Sequence, residues 1–75
     1  MRSDIMNRPI EDLLRIVKAG GGITVDGTRP VEELLRLAKA ASMGTANIAM
    51  AESEYKTTDD LVRIAEAGGG KVIFQ

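Results

Sequence analysis

The strongest constraint on this chain is an internal repeat, a helical pattern of charged and apolar residues that occurs three times. The copies cover residues 9–20 (PIEDLLRIVKAG), 30–41 (PVEELLRLAKAA) and 57–68 (TTDDLVRIAEAG). A short apolar run follows each copy, at residues 23–25, 48–50 and 72–74. Because repeated units bury their apolar faces against one another, the pattern predicts one threefold array of a helix followed by a strand.

The spacing of the apolar residues defines the elements. Ile10, Leu13, Leu14 and Val17 lie at positions i, i+3, i+4 and i+7, which is helical spacing, and the other copies repeat it. The three short runs are typical of strands, and strands that alternate with helices pair in parallel through right-handed crossovers. We therefore predict an α/β fold, a two-layer repeat domain whose three-stranded sheet is mainly parallel.

The chain is short for a stable core. Its 75 residues suit a single domain over 1–75, with a flexible lead at 1–6 and repeats at about 7–26, 28–51 and 56–75. The sequence has no cysteine and no histidine, so disulfides and thiolate or imidazole metal ligands cannot support it. A partner chain is the remaining support. The repeat spacing falls in the range of leucine-rich repeats, but the asparagine-containing consensus of that family is absent.

Charge patterning excludes several classes of function. Ten basic and eleven acidic residues are interleaved, with a net charge of −1, so we expect no nucleic-acid or membrane partner. The arginines shared by the copies each follow an acid by four residues, which predicts ion pairs within each helix. These pairs are Glu11 with Arg15, Glu32 with Arg36, and Asp59 with Arg63. We see no signal peptide or membrane span, and we expect a cytoplasmic protein.

Two glycine triplets, Gly20–Gly22 and Gly68–Gly70, resemble phosphate-binding loops only superficially. Such loops follow a strand and begin a helix, whereas these triplets end a helix and lead into a strand. We predict instead that Gly20 and Gly68 end their helices with positive φ. The middle helix should end less sharply, at residues 42–44.

The candidate ligand site is the edge where the parallel strands end, because ligands of α/β sheets bind at that edge. Two polar loops lie there and would bring carboxylates, cations, hydroxyls and the single tyrosine together. The spacing of the acids matches no calcium loop, so we predict no metal and no cofactor. The candidate ligand-binding residues are Asp26, Thr28, Arg29, Glu52, Tyr55, Lys56 and Thr57.

The second candidate site is the sheet face that points away from the helices. Parallel sheets are seldom bare on one side, so either the first helix or another subunit should cover this face. Its candidate interface residues are Thr24, Ala49, Ala51 and Ile73. We expect a non-catalytic module without catalytic residues, acting by protein association as a homodimer or as an accessory subunit. The alternative is a domain that binds a small ligand or an anion through the strand-end loops.

Overall fold

The computed structural model describes residues 8–75, and the predicted lead at 1–6 lies outside this range. The elements alternate as predicted. The helices are α1 (Ile10–Lys18), α2 (Val31–Ser42) and α3 (Thr58–Gly68), and the strands are β1 (Ile23–Asp26), β2 (Ile48–Ala51) and β3 (Val72–Phe74). A short 3-10 turn, Ser53–Tyr55, separates β2 from α3.

The three strands form one sheet in the order β1-β2-β3, and both pairings are parallel. In the register, Thr24 lies beside Ala49, and Ala49 lies beside Ile73. The α/β prediction with a three-stranded parallel sheet is therefore confirmed. Sequential order with parallel strands follows when every crossover helix returns on the same side of the sheet.

One core fills the space between helices and sheet. Alternate strand residues point into it, including Ile23, Val25, Ile48 and Met50, which are all buried. Each helix adds its apolar stripe, and the buried helical residues belong to the same cluster. These are Leu13, Leu14, Val17, Leu34, Leu37, Ala38, Ala41 and Ile64. Since α1 contributes to this core, it lies on the helical side and does not cover the opposite sheet face.

The helix boundaries follow local chemistry. The first two helices begin directly after Pro9 and Pro30, whose fixed φ suits the start of a helix. At α3, the Thr57 side chain accepts a hydrogen bond from the Asp60 N–H at 3.1 Å, as the spacing of a capping motif predicts. The middle helix ends at Ser42, within the predicted range.

The glycine predictions are confirmed at one site and wrong at the other. Gly20 has a φ of 99° after α1, as predicted. Gly68 is instead the last residue of α3 and is buried, and the left-handed residue is Gly69, with a φ of 56°. A Cβ on Gly68 would lie 2.5 Å from Val72 Cγ2, so close packing against β3 is the constraint at this position.

The ion pairs differ from those that the helical spacing predicts. Arg36 pairs with Glu11 at 3.5 Å and thereby links α2 to α1. Arg63 pairs with Asp60, three residues earlier, at 3.8 Å. Adjacent parallel helices offer partners that single-helix spacing does not reveal.

Candidate binding surfaces

The seven predicted ligand-binding residues all lie in or next to the loops at the carboxyl edge of the sheet. The first loop connects β1 to α2, and the second connects β2 to α3 through the 3-10 turn. The two loops touch, because Lys56 Nζ donates a hydrogen bond to the Gly27 carbonyl at 2.7 Å. The structure therefore brings together residues that are far apart in sequence, as predicted for loops that follow parallel strands of one sheet.

Asp26 organises the first loop. Its Oδ1 atom accepts hydrogen bonds from the Thr28 N–H at 2.9 Å and from the Thr28 hydroxyl at 2.7 Å. These bonds stabilise the carboxylate and hold the pKa of Asp26 below its ordinary value, the backbone N–H having the largest effect. The charges of Arg29 and Lys56 lower the pKa further, while partial burial acts in the opposite direction.

Arg29 connects the first loop to the helical layer. Its Nη1 atom pairs with Glu33 Oε1 at 2.9 Å, and its Nη2 atom donates a hydrogen bond to the Arg8 carbonyl. Only 15% of the Arg29 side chain is exposed. The guanidinium therefore joins α2 to the segment before α1, a structural use that sequence alone did not indicate.

Gly27 is the residue of this edge that sequence reasoning missed. Its N–H donates to the Ala51 carbonyl at 2.7 Å, and a Cβ there would lie 2.4 Å from that same oxygen. Only glycine permits this approach of two backbones. The available signal was a glycine placed directly after a strand, followed by a polar loop.

The remaining three candidates, Thr57, Glu52 and Tyr55, are all exposed. Thr57 accepts the cap bond of α3. Glu52 is exposed with a left-handed φ of 59°, and Tyr55 is 65% exposed on the 3-10 turn. Most polar groups of this edge thus have partners within the chain, and ligand binding there stays a prediction.

Within residues 8–75, no three acidic side chains lie near enough to one another to hold a metal ion. None of the helices in this part of the chain has the length and apolar character that crossing a membrane requires.

The second candidate surface, which we call the open sheet face, is the side of the sheet away from the helices. Its central row consists of Thr24, Ala49 and Ile73, side by side on the three strands. Thr24 is exposed, Ile73 is 55% exposed, and Ala49 and Ala51 are half-buried. None of residues 8–75 covers this row, so all four predicted interface residues lie on an accessible surface.

Comparison with protein-family models, with curated proteins and with solved structures finds no significant match for this chain. Function is therefore inferred from the two surfaces described above.

Proposed function

We propose that this chain is a non-catalytic module that acts by protein association, as a homodimer or as an accessory subunit, through its open sheet face. The observation that supports this proposal is the uncovered central row, in which Ile73 is 55% exposed beside Ala49. A parallel sheet is normally covered on both faces, because its flat apolar surface is otherwise left in water.

The chemistry of the row suits contact with a second copy. Thr24, Ala49 and Ile73 carry no charge, so a twofold axis through the row would bring no like charges together. The small side chains of Ala49 and Ala51 allow the backbone of a partner to approach closely. Burial of Ile73 would contribute up to about 1.5 to 3 kcal/mol relative to full exposure, less the part already gained within the chain.

The strand-end loops support the non-catalytic part of the proposal. Asp26, Lys56 and Arg29 are used in bonds that hold the loops and helices together. Without histidine or cysteine, the usual general base and thiolate nucleophile are both absent from the sequence. We propose the cytoplasm as the compartment in which the module acts.

Sedimentation velocity at micromolar concentration tests the proposal. We expect the parent chain to associate, and we expect Ile73→Asp and Ala49→Asp to weaken association because burial of an unpaired carboxylate costs several kcal/mol. Tyr55→Asp is the matched control, since Tyr55 is an exposed large apolar residue outside the open sheet face. A monomeric parent whose two face variants keep full stability would contradict the homodimer.

A further inference from the structure

We infer that copies of this chain associate end to end, with α3 of one copy packing against α1 of the next, so that the repeat continues from chain to chain. This contact is separate from the open sheet face. It uses the two ends of the helical layer, the outer flank of α1 and the outer flank of α3, which have no neighbouring helix within residues 8–75. The occupant of each end is a second copy of this chain.

Burial of equivalent residues identifies the two ends. The sixth residue of each copy faces the following helix: Leu14 is 7% exposed, Leu35 is half-buried and Val62 is 48% exposed. The eighth residue faces the preceding helix: Ile16 is half-buried, whereas Leu37 and Ile64 are each 1% exposed. Among residues 8–75, Val62 and Ile16 therefore occupy packing positions that have no partner helix on their side.

The surface beside Ile16 is a shallow, open depression that can accept an apolar side chain. A hollow of about 430 Å³ lies on the flank of α1 that faces away from α2. Ile16 and Ala19 provide its apolar wall, and Arg8, Asp12 and Arg15 surround it. At the opposite end of the layer, Val62 projects from α3, so one end offers a hollow and the other an exposed apolar residue.

The charges of the two ends are complementary. Val62 lies between Asp59 and Glu66, both exposed, at helical spacings of three and four residues. The α1 end carries Arg15 together with Arg8, which lies 3.9 Å from Asp12. An acidic end therefore meets a predominantly basic one when copies are placed head to tail.

The boundary between α1 and α2 provides a template for this contact. There, the third residue of one copy, Glu11, pairs with the seventh residue of the next, Arg36, at 3.5 Å. The same positions across two chains are Asp59 and Arg15 of the following copy. The α2–α3 boundary does not repeat the pair, because Arg63 bonds Asp60 within its own helix instead of Glu32 of α2. At the outer end of α3, no ion pair within residues 8–75 uses Asp59.

The sheet can continue in the same direction. Among the described residues, β1 and β3 each pair on one side only, and both run parallel to β2. Parallel pairing of β3 with β1 of the next copy would satisfy these free backbone groups. Such a head-to-tail contact does not close on itself after two copies, so it generates a series of oligomers.

The test is sedimentation velocity over a concentration series at low and at high salt. We expect the weight-average sedimentation coefficient of the parent to rise steadily with concentration and to fall when salt is added. Val62→Asp places a third acid beside Asp59 and Glu66, and we expect it to weaken this association at least tenfold. The control is Met43→Asp, because Met43 is 80% exposed at the end of α2, and it should leave the series unchanged.

Complementary charge variants distinguish head-to-tail contact from symmetric contact. In an Ile73→Asp background, which removes association through the open sheet face, Asp59→Lys disables the α3 end and Arg15→Glu disables the α1 end, so each variant alone should stay monomeric. Their mixture should associate, because each retains one intact end. Circular dichroism and urea midpoints establish that every variant is folded.

Several outcomes would overturn the inference: a parent that stops at a dimer, a parent that stays monomeric at several hundred micromolar, or a mixture that fails to associate. The open sheet face is tested separately, because Ile73→Asp should leave the end-to-end series in place. Loss of the series with Ile73→Asp, together with no effect of Val62→Asp, would assign all association to the face and reject the end contact.

Discussion

Gly68 and Gly69 are neighbours in the chain, but different physical limits require glycine at each. Gly69 ends α3 in the left-handed conformation, which residues with a Cβ adopt at a cost of about 1 to 2 kcal/mol. Gly68 is helical, and the lack of a Cβ lets α3 approach Val72 of β3. Helical periodicity places a helix end near these residues, but it cannot separate the two roles.

We predict that Gly68→Ala lowers the free energy of unfolding by about 1 to 3 kcal/mol through crowding. The added Cβ would meet the stiff, branched side chain of Val72, so Val72→Ala in the same chain should recover part of the loss. Urea denaturation of the two single variants and the double variant measures this coupling. Gly69→Ala is the control, since its strain is local and should be independent of Val72. Additive effects of Gly68→Ala and Val72→Ala would show that the contact is not formed.

At the scale of elements, the helices and strands could be predicted from sequence, whereas the joints between them could not. Periodicity depends on residues three and four apart, so it located α1, α2 and α3. The bond from Lys56 to Gly27 joins residues 29 apart, and no local pattern encodes it. For the same reason, the pairing of Arg36 with Glu11 was not predicted. The position of both polar loops at the carboxyl edge of the sheet was predicted, because it follows from parallel strand order.

The turn between β1 and α2 should make stability depend on pH. The pKa of Asp26 is lower in the folded chain than its ordinary value of 3.8, so its carboxylate stabilises the fold above that pH. This contribution is lost as the pH falls through the lowered pKa. Asp26→Asn should therefore be less stable than the parent at pH 6 to 7, and the difference should shrink below about pH 4.

Urea midpoints of the parent and of Asp26→Asn between pH 7 and pH 2 measure this effect. Thr28→Val is a useful control, because it removes the hydroxyl donor and keeps the backbone N–H that has the larger effect on the pKa. Its pH-dependent difference from the parent should be smaller. A constant difference between parent and Asp26→Asn at every pH would contradict the assigned role of the carboxylate.

Across the whole molecule, burial is lower in the third unit than in the first two. β1 and β3 are both edge strands, yet Ile23 and Val25 are buried while Val72 and Phe74 remain half-exposed. α3 likewise has fewer fully buried apolar residues than α1 or α2. Stability of this chain is therefore unevenly distributed along the repeat, as in other arrays of stacked units.

Native-state amide exchange should report this difference in burial between the third unit and the first two. In dilute solution, the hydrogen-bonded amides of β3 and of the last turns of α3 should exchange faster than those of β1 and α2, because fewer buried contacts resist their local opening. The comparison of β3 with β1 is matched, since each strand has one neighbour in the sheet. Equal protection of both edge strands would contradict the lower local stability of the third unit.

The two edges of the sheet also differ in how firmly they hold the units together. At the carboxyl edge, side-chain bonds cross between units, from Lys56 to Gly27, from Ser53 to Gln75 and from Arg29 to Arg8. At the amino edge, one side-chain bond crosses between units, from Lys71 Nζ to the Gly44 carbonyl at 3.1 Å, and the chain enters β1 and β3 through the glycine triplets, whose backbone has the widest conformational freedom. Any bending of the stacked units should therefore separate them least at the carboxyl edge and most at the amino edge, where the glycine triplets lie.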